Sequence, residues 1–188
     1  MQEYRFSMSG ISLLLPDFIE LAKVLIDAEF DYNEISNFEL NRDRGATRKR
    51  ELYELKLRLK NLSDKEIQFL IKTRRENQRL ITFLASVRSY RILREFLEQV
   101  VFDKIMVFDD ELSYREYTNF IYNKTLLYPE FEGISEIMIK KIRQFIFKML
   151  EQAGLINSVK AKKIQIPFLD FEMQSLLSKT DQKYLLNL

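Results

Sequence analysis

Long amphipathic runs separated by very few turn residues constrain the fold of this chain most. Its 188 residues include only 4 Gly and 3 Pro. A β-sandwich or barrel needs many tight turns, and those two residue types supply most of them. Apolar residues instead recur at helical spacing, as in Phe18, Leu21 and Leu25. The sequence therefore predicts a compact, all-α, multi-helix protein with at most a small β wing.

Helix-start signals divide the chain into these helices. Ser63 and Ser113 each stand three residues before a Glu, which is the capping-box pattern. Thr47 is expected to cap another helix after a loop. A short helix is predicted over 32–40 and a closing helix over 168–178, with a frayed tail after it.

The region from Ser135 to Pro167 is the most informative about function. Ser135 is placed to cap a long amphipathic helix, and Gly154 supplies the left-handed residue that ends it. A lysine-rich stretch follows, and residues 164–166 alternate as in a strand. A basic helix, a glycine stop and a basic ribbon occur in this order in DNA-binding winged helices. Helix-turn-helix or winged-helix-like elements are therefore expected.

The polar face of this long helix is the first candidate DNA site. A helix in the major groove uses Lys and Arg on phosphates and polar side chains on base edges. Four-residue spacing places Lys140, Gln144 and Lys148 on one face. The alternative is the solvated face of an ordinary core helix, which Phe147 would narrow further. The predicted DNA contacts of the helix and wing are Lys140, Lys141, Arg143, Gln144, Lys148, Lys160, Lys162 and Lys163.

A second candidate site is the basic segment around Gly45. Five basic side chains at a loop and helix start are suited to hold a phosphate backbone, and the free amides there favour anions. The alternative is solubilising charge paired with Glu51 and Glu54. The predicted DNA contacts are Arg42, Arg44, Arg48, Lys49 and Arg50.

A third basic cluster consists of arginines in the middle of the chain. Arginine suits bidentate pairing with phosphate or with carboxylate. Because acidic segments elsewhere supply partners, an internal salt-bridge role is at least as well supported as nucleic-acid contact. The residues are Arg74, Arg75, Arg79, Arg88, Arg91 and Arg94.

The missing residue types argue against catalysis. The chain has no Cys and no His, which removes thiolate metal sites, cysteine nucleophiles and the commonest general base. The acidic run 109–111 reads as a solvated loop without a second ligand group. No glycine-rich phosphate loop or nucleophile elbow is present. We expect no enzymatic activity, no metal and no cofactor.

Charge and hydropathy bear on location and organisation. No apolar run approaches the roughly 18 residues of a membrane span, so a cytoplasmic protein without membrane contact is expected.

The net charge is only +2, but basic and acidic residues lie in separate blocks. The acidic run 109–111 divides the chain into an N-terminal helical lobe (1–108) and a C-terminal winged-helix-like lobe (109–188) of one compact unit. We expect a monomer, since no heptad pattern is long enough to predict a coiled coil.

Four segments follow one another along the chain in a distinctive order. They are Phe6-Ser-Met-Ser-Gly-Ile-Ser-Leu-Leu-Leu-Pro16, Gln78-Arg-Leu-Ile-Thr-Phe-Leu-Ala85 with 88–96, Leu112-Ser-Tyr-Arg-Glu-Tyr117, and Lys141-Ile-Arg-Gln through Gly154-Leu-Ile156. Together they resemble the BrxA family of BREX (bacteriophage exclusion) systems. The similarity covers nearly the whole chain in order, although no single motif is specific.

The resemblance implies an all-α protein with helix-turn-helix-like elements and a DNA-binding surface charge. It also implies action beside a BREX methyltransferase and ATPases. Few functional residues carry over, and only Lys141 and Arg143 of the basic helix are transferred.

The leading hypothesis is a non-enzymatic accessory protein of phage defence that binds double-stranded DNA largely through phosphates. The rival is a protein–protein adaptor that recruits other BREX components without touching DNA. RNA binding is a third possibility, since basic helices alone do not distinguish the two nucleic acids.

Overall fold

Helices make up most of this computed structural model, which describes residues 3–6, 11–37 and 45–186. A π-helical turn, Leu97–Val101, joins α5 and α6 into one continuous rod, and the prediction of an all-α fold is confirmed. The helices are α1 (Leu15–Asp27), α2 (Gly45–Leu59), α3 (Asp64–Lys72), α4 (Arg75–Ser89), α5 (Arg91–Phe96), α6 (Phe102–Met106), α7 (Tyr114–Leu127), α8 (Glu136–Ala153), α9 (Phe171–Leu176) and α10 (Lys179–Tyr184).

The predicted capping boxes form as expected. The amide of Ser63 donates to the carboxylate of Glu66 at 2.7 Å, and the Ser63 hydroxyl accepts the Glu66 amide in return. The amide of Ser113 donates to Glu116 in the same way at 2.6 Å. Gly154 ends α8 with φ of +82°. Local sequence signals therefore fix the start of α3 and α7 and the end of α8.

Two helix predictions in the N-terminal half differ from the structure. Helix α2 begins at Gly45, two residues before the expected cap at Thr47. The described part of the predicted helix over 32–40 is a single 3₁₀ turn, Glu34–Asn37, and residues 38–44 lie outside the described chain.

The C-terminal end also differs from its prediction. The closing helix is shorter than 168–178, because the carboxylate of Asp170 accepts the Met173 amide and caps the helix there. The tail that was expected to fray forms α10 instead. Its start is capped by Ser178, whose hydroxyl accepts the Asp181 amide at 3.1 Å.

Helix α4 lies at the centre of the core. It contacts α1, α2, α3, α5, α8 and α10, and its residues 80–87 are all buried. Burial of each Leu or Phe side chain stabilises the fold by about 1.5–3 kcal/mol. Apolar residues from the N-terminal segment through α10 belong to the same core cluster. Helix α8 is thereby packed directly on the most buried part of the molecule.

Two isolated β-bridges lie beside α8. Ile156 pairs with Ile164, and Glu111 pairs with Lys163, both antiparallel. The segment around Ile164 lies between the other two extended segments, because Ile164 pairs with Ile156 and its amide also donates to the carbonyl of Asp110 at 2.7 Å. The strand predicted at 164–166 is thus limited to isolated bridges around its first residue.

Candidate nucleic-acid interface

Helix α8 presents a polar stripe to solvent. Lys140, Lys141 and Gln144 are exposed, and none of them is ion-paired or hydrogen-bonded through its side chain to a described residue. Lys148 is also exposed, but its ammonium group binds the carboxylate of Glu151. Because the buried face of α8 is apolar, this stripe is where the helix meets solvent or a ligand.

The polar stripe is narrower in the C-terminal half of α8, because position 147 belongs to the buried face. The Phe147 side chain is fully buried, with its ring centroid 5.2 Å from that of Tyr114 and 5.9 Å from that of Phe96. The surface of α8 is therefore more open around Lys140 and Lys141 than around position 147.

Tyr114, the first residue of α7, connects α8 to the ribbon that follows it. The guanidinium carbon of Arg143 lies 4.3 Å from the centre of the Tyr114 ring, and the ammonium of Lys162 lies 4.7 Å from it. A cation near an aromatic face is attracted by the ring quadrupole. Tyr114 thus holds one cation from α8 and one from the ribbon at a single place.

Sequence reasoning did not identify Tyr114 as part of the site. Its signal in the sequence is its place directly after the capping residue Ser113, which only fixes the start of α7. The contact with Arg143 joins residues far apart in the chain, so a local pattern does not reveal it.

The wing consists of residues 158–163, which are the turn after the first paired extended segment together with Lys163. The carboxamide oxygen of Asn157 accepts the Lys163 amide at 3.0 Å, and the hydroxyl of Ser158 accepts the Ala161 amide at 3.0 Å. Lys162 adopts a left-handed conformation with φ of +57°. These bonds give the wing a defined shape before any ligand binds.

The wing lysines differ in their surroundings. Lys160 is exposed and forms no ion pair with a described residue. The ammonium of Lys163 lies 3.6 Å from the carboxylate of Asp110 and 3.9 Å from that of Glu111. Its positive charge is therefore partly compensated within the protein, whereas that of Lys160 is not.

A cavity of about 520 Å³ is lined by residues of α8, the wing and the N-terminal segment, which is residues 11–14 before α1. The N-terminal segment is held against α8 by a hydrogen bond of 2.9 Å from the Leu13 amide to the side-chain oxygen of Gln152. Glu151 also faces the cavity, and a hydrogen bond from Lys148 with one from the Val159 amide lowers its pKa. The lining residues are Ile11, Ser12, Tyr114, Arg143, Gln144, Phe145, Phe147, Lys148, Glu151 and Val159.

Within residues 3–6, 11–37 and 45–186, no three acidic side chains are grouped closely enough to hold a metal ion. In the same ranges, no helix has the length and apolar character needed to cross a bilayer.

Comparison with known proteins confirms the resemblance noted from the sequence. The BrxA family profile matches residues 2–181. The chain belongs to the BrxA family. A relative from Escherichia coli O9:H4 (strain HS), described as "BREX protein BrxA", is 28% identical over 144 residues, which is 76% of this chain and 67% of the relative.

The fold is shared with a solved structure. The crystal structure of an uncharacterized protein from Magnetospirillum magneticum matches with a TM-score of 0.81, covering 98% of this chain and 97% of that chain. At 18% sequence identity, the likeness concerns the fold alone.

Only part of the second predicted patch lies within the described residues. Arg42 and Arg44 lie outside the described residues, as does the side chain of Arg48, while Lys49 and Arg50 are exposed on the first turns of α2. Farther along α2, the guanidinium of Arg58 donates to the carbonyl of Ser12 at 2.8 Å, beside the α8 cavity. At a rise of about 1.5 Å per residue, Lys49 lies roughly 13 Å from Arg58 along the helix. The proposed pairing with Glu54 does not form, since Glu54 is buried and accepts the hydroxyl of Tyr90.

Three arginines of the third cluster have internal partners. Arg88 binds Glu66 at 2.7 Å and Asp181 at 3.0 Å. The remaining pairs are Arg91 with Glu95 at 2.6 Å and Arg74 with Asp170 at 3.1 Å. The internal salt-bridge role is therefore the one that the structure shows for these three.

Arg75 and Arg79 are different, because both are exposed at the start of α4. They line a cavity of about 580 Å³ next to the N-terminal segment. Ser12 and Glu151 line this cavity and also the one beside α8. These two arginines consequently lie on a surface continuous with the α8 stripe.

Proposed function

We propose that the chain is a non-enzymatic accessory protein of a BREX phage-defence system that binds double-stranded DNA through phosphate contacts. The exposed, unpaired ammonium groups of Lys140, Lys141 and Lys160 carry the proposal. Family membership and the name of the E. coli relative support the assignment to BREX. On this proposal the protein acts in the cytoplasm as a monomer, beside the methyltransferase and ATPases of the system.

The order of elements in the C-terminal half supports this function. The α5–α6 rod is followed by the extended stretch at 110–112, then α7 and α8, then the segments at 155–157 and 163–165 with the turn of the wing between them. A winged helix has this order, and its second helix after the first strand is the one that enters the major groove. That helix corresponds to α8.

The chemistry of the α8 stripe fits backbone contact better than sequence reading. Lysine ammonium groups neutralise phosphates and release counterions, which gives affinity without base specificity. Gln144 is the neutral polar side chain on the stripe, and its carboxamide is suited to the edge of an adenine. We therefore infer largely sequence-independent binding, with Gln144 as the candidate base contact.

A matched pair of charge reversals tests the proposal. The double variant Lys140→Glu, Lys141→Glu changes the net charge of the α8 stripe by four units, from positive toward negative. Lys65→Glu with Lys72→Glu makes the same change in net charge on α3, where both lysines are exposed. Fluorescence anisotropy with a labelled duplex of ~30 base pairs is expected to show at least a tenfold loss of affinity for the first variant only, since each lost phosphate contact weakens binding.

The alternative function is an adaptor that recruits other BREX components without contacting DNA. Its support is the exposure of large apolar side chains away from α8, such as Phe168 at 76% and Phe171 at 83%. Wild-type protein that fails to bind the duplex even at ~50 mM salt would favour the adaptor. Equal weakening by both pairs of reversals would show that net charge, and not α8, is responsible.

A further inference from the structure

The end of α6 places an exposed aromatic side chain in a backbone conformation that favours glycine. Phe108 has φ of +58° and is 98% exposed. The amide of Asp109 donates to the carbonyl of Lys104, and that of Phe108 donates to Ile105, both at 3.0 Å. This is a Schellman motif with Phe108 at its left-handed position, where a β-carbon is strained.

The end of α8 shows the same motif with the expected residue. Gly154 occupies the left-handed position, and the amide of Leu155 donates to the carbonyl of Leu150 at 2.9 Å. The two helix ends thus differ in one respect: the second uses glycine and the first uses phenylalanine. Local backbone geometry gives no reason for this choice at position 108.

Packing gives no reason for it either. Three other large apolar residues with positive φ, Leu14, Phe30 and Leu186, lie against or within the core. Their contacts offset the backbone strain. Phe108 has no comparable contact among the described residues. A strained position that packing does not explain is a candidate functional position.

The neighbouring residues extend the apolar surface. Met106 and Val107 are 72% and 70% exposed, and we call residues 106–108 the apolar tip. Val107 also borders a cavity of about 350 Å³, with Val100 and Phe120 in its lining. Exposed aromatic residues and methionine are enriched where proteins dock, and a few such anchors dominate the binding energy.

Acidic side chains surround the apolar tip. Asp103 precedes it, and Asp109, Asp110 and Glu111 follow it, all exposed. The nearby ammonium of Lys104 is already bound by Asp109 and by Glu116. The ammonium of Lys163 lies 3.6 Å from Asp110 and 3.9 Å from Glu111, so the acidic charge is partly compensated, whereas Asp103 has no ion pair with a described residue. The net charge around the apolar tip is negative, which disfavours phosphates and favours cationic groups.

We propose that the apolar tip is the anchor by which this chain docks a second, different protein. The complementary surface is an apolar pocket that accepts Phe108, with a rim of Lys and Arg facing the four acidic side chains. Nucleic acids and anionic membranes are excluded by charge. The acidic rim adjoins the wing, since Asp110 lies 3.6 Å from Lys163, but residues 106–108 are not part of the α8 stripe, so the docking contact is separate from the proposed DNA contacts of Lys140 and Lys141.

Phe108→Gly tests whether the fold needs the aromatic ring. Glycine removes the left-handed strain but adds freedom to the unfolded chain. The melting temperature is expected to stay unchanged or to rise by up to about 3 °C. A fall of several degrees would show that Phe108 serves the fold and would overturn the proposal.

Photo-crosslinking in cells tests docking directly. A benzoylphenylalanine is placed at position 108 of the full chain, expressed beside its own neighbouring genes. The matched control carries it at Tyr53, which is 57% exposed on α2. The protein captured at position 108 is then purified and titrated against wild-type chain, Phe108→Gly, Asp103→Lys and the control Tyr53→Ala.

The expected result is one adduct at position 108 that is absent at position 53. Its crosslinked peptide contains apolar residues flanked by Lys or Arg. Phe108→Gly and Asp103→Lys each weaken binding of the captured protein at least tenfold, and Tyr53→Ala does not. No adduct above the control, an adduct to a second copy of this chain, or unchanged binding by Phe108→Gly would each contradict the proposal.

Discussion

Cations are used differently in the α3–α5 region and in the α8–wing region. In the first, Arg88 and Arg91 are hydrogen-bonded to carboxylates from within the fold, and Arg91 is only 5% exposed. In the second, Lys140 and Lys141 are exposed without such partners. Both regions are basic blocks in the sequence, so charge density alone does not separate them.

The difference lies in what each cation finds after folding. Glu95 from α5 accepts hydrogen bonds from Arg91 and Tyr4 and pairs with Lys124 of α7. Breaking a buried pair leaves charge without compensation, which is strongly destabilising. Lys140 and Lys141 of α8 stay exposed to solvent after folding and remain available to an external anion. Paired cations therefore serve stability, and unpaired cations are the candidates for function.

The largest effect is expected from Glu95→Gln. The substitution keeps the shape but removes the negative charge that Arg91 and Lys124 share. We expect a loss of about 3–5 kcal/mol in the free energy of unfolding, measured by urea denaturation. Glu172→Gln, at an exposed position of α9, is the control and should change stability by less than about 0.5 kcal/mol. Similar stabilities for both variants would show that the buried cluster does not hold the fold.

Acid should weaken the paired region selectively. Burial raises the pKa of Glu66, but hydrogen bonds from Arg88 and Ser63 outweigh burial and hold its pKa below the usual 4.5. Hydrogen bonds from Lys124, Tyr4 and Arg91 likewise outweigh burial at Glu95. Because both pKa values are lowered by folding, their stabilisation is complete above pH 4.5 and is lost as pH falls through the lowered values.

Glu66→Gln provides the measurement for this pH dependence. The variant cannot titrate at position 66, so its stability deficit relative to wild type should be largest at neutral pH. The deficit should shrink as the pH is lowered below about 4, where wild type also loses the charge. Melting curves at several pH values would show this, and a deficit that stays constant down to pH 2 would contradict it.

In the unpaired region, Tyr114→Ala should weaken DNA binding while Tyr114→Phe should not. Alanine removes the ring that holds Arg143 and Lys162, whereas phenylalanine keeps it. Each exposed cation–π contact contributes about 0.5–1 kcal/mol, so losing both is expected to weaken binding roughly fivefold to thirtyfold. Anisotropy titrations compare the two variants. Equal affinities for both would mean that the ring does not position these cations.

The smallest effect distinguishes two lysines of the wing. Lys160→Gln should reduce the magnitude of the salt slope by about 0.9, as expected for one lost phosphate contact. Lys163→Gln should reduce it less, because Asp110 and Glu111 already compensate that charge. Titrations at four salt concentrations resolve the two slopes. A larger change for Lys163 would reverse our assignment of the wing contacts.

Local signals in the sequence predicted the parts of the fold that depend on local chemistry. Ser63, Ser113 and Gly154 marked helix ends because capping involves residues only a few positions apart. The ion-pair partners of the basic residues could not be predicted from local patterns, because partners such as Arg88 and Asp181 are 93 positions apart. The helix at the C-terminal tail was missed because its cap, Ser178, lies in a polar stretch with little apolar periodicity.

The candidate site shows the same division. Helical spacing placed Lys140, Gln144 and Lys148 on one face, and the structure has them there. Neither the ring contact of Tyr114 with Arg143 nor the partial compensation of Lys163 follows from a local pattern. Both arise where α7, α8 and the isolated β-bridges meet, so they required the three-dimensional arrangement.

The most direct test of the central claim is the salt dependence of DNA binding by the wild-type chain. Anisotropy of a labelled ~30-base-pair duplex is followed between ~50 mM and ~200 mM salt. With about six phosphates neutralised by α8 and the wing, the log–log slope should be roughly −5. Equal affinity at both salt concentrations, or no binding at the lower one, would contradict the claim that the unpaired cations of this surface bind DNA.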